Sequence, residues 1–595
     1  MGEKDARFAA DQIWRKAGVA VVTGALAVAL VPTGAFAADA STQQATSGSA
    51  GTQQGPGGSG EGGTPPDMPS GDQGSGGAPG GSMPGGGGGG ANSMTYDYSG
   101  TLSGALAASG ESKTSSGESV SATSADQNAA LVQNGGTLDV TNGTLTKSGD
   151  DTNGDNCNFY GLNSILLGVG SSSKAYVSNT KLSATSEGSN GIFSTDGATV
   201  YANSDTIDTT AGNSRGLDAT YGGTIVANDM TITTQGDHCA GVATDRGGGT
   251  INLTNSKLST AGSGSPLLYS TGDIQVDNVT GTATGSQIAG MEGLNTILIN
   301  NSTLESTQTD KTASDPIADG IIIYQSTSGD AESTTGAAAT FDAANSTLKS
   351  AIASGSMFYF TNTTANVVLS KTTLDFDSSK ASLIEASGND SNSWGTAGKN
   401  GATVNFTGLS ETMSGNVDAD TISTVDLYLL EGTSWTGAAS ISTNANGATS
   451  ASPLTVNVDA SSTWVVTGNS TVSNLNVASG GKVVDSSGKT VTIVANGQTV
   501  VSGDSAYTVT VNGSYGTTVT TSDANKLSSD VTDRSDFDSH YSTSTTWTMG
   551  DGTASQTSAS TSSATTTAAT TQTTSTSSAN WWDSVASWFM GLFGM

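Results

Sequence analysis

The chain has 595 residues, of which 80 are glycine and only 12% are charged. So little charge excludes a surface built on ion pairs and a long charged helical rod. The balance of 20 basic against 52 acidic residues, net −32, argues against a phosphate-rich nucleic-acid partner. Counting Gly as apolar and leaving out Tyr brings the apolar share to about 45%, the lower edge of what globular domains use.

The N-terminus reads as an export signal. Arg15 and Lys16 precede an uncharged apolar stretch, Ala17 to Val31, and Ala35-Phe36-Ala37 supplies an Ala-x-Ala site, so cleavage is expected after Ala37. About 15 apolar residues fall short of the ~20 that span a bilayer. No Cys near the site invites a lipid anchor. The remaining chain carries a net charge of about −33, and two cysteines in all suit an exported bacterial protein that does not rely on disulfides. Residues 38–94 form a Gly/Pro/Ser-rich linker. In its 51–90 stretch 19 residues are Gly and six are Pro, which leaves little side chain for a core.

The body, 95–520, is repetitive. One pattern runs from a small residue through an apolar pair to Gly and Thr: NAALVQNGGTL (128–138), SNGIFSTDGATV (189–200), SRGLDATYGGTI (214–225), CAGVATDRGGGTI (239–251) and GSPLLYSTGDI (264–274). A second starts on Asn and reaches an apolar residue three or four positions later, with Asn142, Asn179, Asn203, Asn228, Asn255, Asn278 and Asn301 spaced by 37, 24, 25, 27, 23 and 23. Apolar residues alternate locally with period two, so the units are strands. Short strands at a period of 23–27 residues, with Gly and Asn to take up sharp left-handed corners, describe one coil of a solenoid. The expected fold is therefore all-β, a right-handed parallel β-helix (β-solenoid) with disordered linkers at both ends. Stacked Asn side chains are expected to hydrogen-bond from coil to coil. Asn301 to Asn345 spans 44 residues, so a loop within 305–320 or 326–338 should bulge out.

From about 400 the pattern changes to YLLEGTSWTGAASI (428–441) and STWVVTGNSTVSNL (462–475). These segments resemble the later passenger coils of autotransporter adhesins, and the span 117–520 resembles pectin-lyase-like β-helix surface proteins of bacteria. The resemblance implies a secreted or cell-surface, adhesin-like protein. Too few residues follow 520 for an outer-membrane barrel, so the autotransporter route is not expected.

Polysaccharide-cleaving β-helix enzymes need carboxylates at a set separation. The Asn-Thr-Asp, Gly-His-Gly and Arg-Ile-Lys segments of polygalacturonase-like enzymes are missing; Gly236-Asp237-His238-Cys239 is the nearest approach. No catalytic residues are assigned. The candidate ligand site comes from coil alignment instead. If Gly191, Gly216 and Gly241 stack, then Asp196, Tyr221 and Arg246 share one column. Arg215, Asp218, His238 and Asp245 fall nearby. An acid, an aromatic ring and a guanidinium on one edge suit a sugar or an acidic ligand.

Cys157 and Cys239 are expected as two separate, partly buried thiols. Asp151, Asn153 and Asp155 resemble the start of a calcium loop, although Asn156 and Leu162 stand where a Gly and a carboxylate belong. No cofactor other than calcium is suggested. Residues 521–579 read as an acidic, then Ser/Thr-rich stalk. The chain ends in an amphipathic segment, 580–595, whose Trp581, Val585, Trp588 and Leu592 share a stripe widened by Trp582, Phe589 and Phe593. This segment is expected to contact a membrane interface, the cell wall or a partner. The expected ligand is an extracellular glycan or protein, met through the flank of the solenoid; the alternatives are a polysaccharide lyase or glycoside hydrolase of the same fold and a structural surface-layer component.

Overall fold

The computed structural model describes residues 95–326, 331, 337–390 and 394–552. The expected export signal, the linker 38–94 and everything from 553 onward, with Trp581, Trp582, Val585, Trp588, Phe589, Leu592 and Phe593, lie outside the described residues.

The chain is a parallel β-helix. A representative coil has strands Ile192–Thr195, Thr199–Asn203 and Thr206–Thr209, followed one turn later by Leu217–Ala219, Gly223–Asn228 and Thr231–Thr234. Each strand pairs in parallel with its counterpart, Ile192 with Leu217, Val200 with Ile225, Ile207 with Ile232. Among the described residues this builds three all-parallel sheets of 13, 15 and 10 strands, sheets 1, 2 and 3 in the order a coil visits them. Coils run from Ser103 to Gly516.

Register keeps like above like. Val200, Ile225, Ile251, Ile274, Ile297, Phe341, Val367, Phe406, Leu427 and Val456 form one inward column on sheet 2, each fully buried. In the later coils Trp435 and Trp464 stack inside at 4.8 Å, and their indole N–H groups donate to Gly415 O and Gly437 O. This satisfies the one polar atom that each ring carries inward.

The corners also stack. In eight coils the left-handed corner after the sheet 2 strand falls on Asn142, Asn179, Ser204, Asp229, Asn255, Asn278, Asn301 and Asn345, with φ between 47° and 60°. In two coils it therefore falls on the residue after the Asn that the sequence marks, and Asn203 and Asn228 end their strands instead. The amides link coils as expected: Asn228 donates to Asn203 (2.8 Å), Asn255 to Asn228 (2.7 Å) and Asn278 to Asn255 (2.7 Å). In several coils the next residue is a buried acceptor for the backbone N–H one coil earlier: Ser256 for Met230, Ser302 for Val279, Ser346 for Ser302. In one coil that acceptor is a carboxyl group, Asp205, which accepts from Thr180 N at 2.8 Å and has no partner on Oδ2.

Two additions interrupt the period. Residues 148–164 carry a short helix α1, Gly154–Tyr160, laid over the outer face of sheet 1, where Phe159 O accepts from Thr220 Oγ1 and Asn190 donates to Cys157 O. The long repeat holds a loop at 307–318 between strands Thr303–Ser306 and Asp319–Tyr324, and further residues before the next sheet 2 strand, Ala339–Ala344.

The segment after the last coil corrects an expectation. Residues 521–552 are not the start of a stalk; they form a strap along the outer face of sheet 2. Asn525 donates to Asn405 and Thr407, Ser528 N to Asp342, and Thr532 N to Gln275. Arg534 is fully buried and donates to Asn252 O and Oδ1, Ala227 O, Thr254 and Thr545. Helix α2, Ser535–Tyr541, then packs Phe537 on Tyr201 and Val226. The chain reverses at Ser542 (φ 55°), and Gly550 and Asp551 come back to Asn300, Asn301 and Asn345. The strap has too few apolar residues to look folded on its own. It folds because sheet 2 presents unpaired polar atoms and apolar rows along one face.

Asp205 makes stability depend on pH. Burial raises its pKa from 3.8 to about 8. The folded state therefore holds the proton more tightly than the unfolded one, and the resulting stabilisation is complete below about pH 4 and lost as pH rises through about 8. Asp205→Ser keeps an acceptor for Thr180 N and removes the carboxyl. Thermal unfolding followed by circular dichroism should show a smaller fall in midpoint between pH 5 and 9 for the variant than for the wild type.

Candidate functional site

The structure divides the seven predicted ligand residues into two groups and leaves one apart. Asp196, Tyr221 and Arg246 do share a column: Gly197 N donates to Tyr221 O and Tyr221 N to Arg246 O, each at 3.1 Å. Gly191, Gly216 and Gly241 stack as expected, and the first two must be Gly, since a Cβ on Gly191 would lie 2.5 Å from Gly216 O and one on Gly216 2.4 Å from Gly241 O.

Arg215, Asp218 and Asp245 also come together, but with no exposed side chain. Arg215 pairs with Asp218 at 3.4 Å and Asp245 at 3.2 Å and donates to Asn158 of α1. Burial pushes the Arg215 pKa down, and the two carboxylates more than offset it. Burial likewise raises Asp218 to about 7 despite Arg215 beside it. Covered by α1, this trio fixes the helix to sheet 1 and presents nothing to a ligand. His238 is half-buried at the opposite end of strand Val242–Thr244 from Arg246, with its N–H on Ser263 O, so it does not join the column.

The column is completed by residues that the repeat does not announce. Tyr221 stacks on Tyr160 (5.6 Å between centroids, 6°), and Tyr96 stands edge-on to both at 5.6 and 5.5 Å. Tyr98 lies 5.2 Å from Tyr160, and the Tyr160 hydroxyl donates to Asp97. Arg246 places its guanidinium 3.7 Å from the centre of the Phe159 ring. Tyr96, Tyr98 and Tyr160 are half-buried and Asp196 is exposed. Burial raises the hydroxyl pKa of Tyr96, Tyr160 and Tyr221, so all three remain neutral hydrogen-bonding groups at neutral pH. The one hint in the sequence is Tyr-Asp-Tyr at 96–98, the first aromatic residues after a linker that has none. The result is a rigid platform of ring edges and hydroxyls, rimmed by Asp97, Asp196 and Arg246. It suits a ligand with apolar faces and many hydroxyls.

The calcium-loop residues do other work. Asn153 is the N-cap of α1, its side chain accepting from Asn156 N at 3.2 Å. Burial and then Asp126 raise the Asp151 pKa. Asp155 sits in the first turn of α1. Among the described residues no three His, Cys, Asp or Glu side chains gather as a metal-ligand set. Cys157 and Cys239 are free thiols, fully rather than partly buried. Cys239 stands in a hydroxyl column: Ser189 N donates to Ser214, Ser214 N to Cys239 Sγ, and Cys239 N to Ser265.

Unfolding measurements separate the two arginines. Arg215→Ala strands two buried carboxylates and should cost about 3–5 kcal/mol. Arg246→Ala removes a half-buried guanidinium that strands no buried carboxylate pair and should cost less than Arg215→Ala, its cation–π contact with Phe159 accounting for about 1 kcal/mol. No model of a known protein family matches this chain, and no curated protein matches its sequence.

Proposed function

We propose that this is an adhesin-like β-helix, secreted or displayed on a bacterial surface, that binds an extracellular glycan or host or matrix ligand without catalysis. The observation that carries the reading is the tyrosine platform of Tyr96, Tyr98, Tyr160 and Tyr221 with Asp97, Asp196 and Arg246 at its rim. Three parts of the chain that are distant in sequence converge to build it. Sheet 3 supports a second, weaker contribution. Its outer row reads Lys181, Thr206, Thr231, Lys257, Thr280, Thr303, Thr347 and Thr373, mostly exposed. Such a row repeats a polar group every ~4.8 Å, so weak contacts along an extended ligand would add. A glycan array comparing wild type with Tyr160→Ala and Arg246→Ala tests the platform. Loss of the bound signals in both variants is expected, and identical profiles would end this assignment.

One observation favours a second reading, polysaccharide cleavage. Glu385 and Asp418 are register partners on adjacent rungs of the outer face of sheet 1, so two acids stand side by side, as cleavage by a carboxylate pair needs. Asp418 accepts from Ser440 (2.6 Å) and Ser442 (2.7 Å), while burial and then Asp418 raise the Glu385 pKa, the direction a general acid needs. This reading predicts release of reducing ends from a polysaccharide panel by the wild type and at least a hundredfold less by Glu385→Gln.

A further inference from the structure

The loop 307–318 returns to the outer side of sheet 1 beyond the tyrosine platform. Thr312 staples it there, its hydroxyl donating to Gly285 O (2.8 Å) and accepting from Gly264 N (3.1 Å). The staple brings Asp315 in beside the start of strand Asp319–Tyr324. Asp315 and Asp319 are 1% and 5% exposed. Asp319 accepts no hydrogen bond on either oxygen and Asp315 none on Oδ1. The remaining oxygen, Asp315 Oδ2, has only a long contact of 3.4 Å from Gln287 Nε2. Burial pushes both carboxyl pKa values well up; the Asp315 charge adds to the rise at Asp319, and exposed Lys311 opposes it at Asp315.

A neighbour shows what a compensated carboxylate looks like here. Glu292 is equally buried on the same outer face, and it accepts from the Tyr269 hydroxyl (2.9 Å), the Tyr324 hydroxyl (3.1 Å) and the Ser326 hydroxyl. The protein therefore supplies three donors to one buried acid and almost none to the adjacent pair. Three bare, buried carboxylate oxygens beside one another match a hard cation. An anion would be repelled, and a soft metal would want Cys or His.

We propose that Asp315 and Asp319 together hold a divalent cation, calcium by its tolerance of irregular oxygen sets, and that the ion ties the 307–318 loop to sheet 1. Two carboxylates offer up to four oxygens; main-chain carbonyls and water complete a shell of about six to eight. The site is separate from the Asp151–Asp155 turn and independent of the tyrosine platform.

The test uses the full chain, freed of metal with a chelator and titrated with calcium or magnesium chloride at pH 7.5. Thermal unfolding and titration calorimetry are the readouts. Calcium should raise the midpoint by several degrees and bind at one site. Asp315→Asn with Asp319→Asn should abolish both effects, while Asp151→Asn leaves them intact. The near-isosteric amides keep the fold, which circular dichroism checks. The proposal is overturned if neither ion shifts the wild-type midpoint and the double variant melts higher than wild type, the behaviour of a pair that merely shares protons. It is equally overturned if the calcium shift survives in the double variant or disappears in Asp151→Asn.

Discussion

Every side chain in this solenoid meets its counterpart one coil away, about 4.8 Å along the axis, and that repeated meeting governs the rest of the structure. Apolar residues gain by it, as in the column from Val200 to Val456. Amides gain by it too, since each Asn can donate to the one before. Charges lose by it, because like charges on adjacent rungs repel. A chain built this way has reason to keep charge low and to spend its polar positions on Ser, Thr and Asn. Where an acid enters a column, as at Asp205, burial holds it in its neutral form.

The columns were legible because they recur. The spacing of Asn and of Gly-Thr pairs reveals strand length, coil length and the two kinds of corner, and it places Asp196, Tyr221 and Arg246 in one row before any coordinates. The limits are those of a signal read from one strand. Ser204 and Asp229 take the left-handed corner in two coils because neighbouring Asn residues fit the strand end equally well. What escapes is whatever occurs once. Helix α1 and the Tyr96–Tyr98 segment have no counterpart in other coils, so nothing in the period foretold that they would complete the platform or bury Arg215. The strap escapes for a sharper reason. Its Ser, Thr and Asp content matches that of a solvated stalk, and its structure exists only against sheet 2.

These single additions give the three flanks different characters. Sheet 1 is roofed by α1 and by loops, which encloses polar groups such as Arg215, Glu292 and the Asp315–Asp319 pair. Sheet 2 is overlaid by the strap from Tyr176 to Thr407. Sheet 3 alternates exposed and buried residues strand after strand, the pattern of a sheet with one side in water. A regular scaffold thus acquires specific surfaces through segments that do not repeat, which is also where functional residues tend to concentrate.

The return of the strap has a mechanical consequence. Because Gly550 and Asp551 lie against Asn300, Asn301 and Asn345, the described chain ends on the side of the solenoid, among the middle coils, and not at its last coil. Force applied through the residues beyond Gly552 would load the returning arm first. It would reach the buried Arg534 socket only after the contacts at Asn300 and Asn345 had given way, and would meet the stacked coils across their axis instead of prising the last one from the end. The rungs would share such a load sideways, so the hairpin at Ser542 would work as a sacrificial link that yields before the rod does.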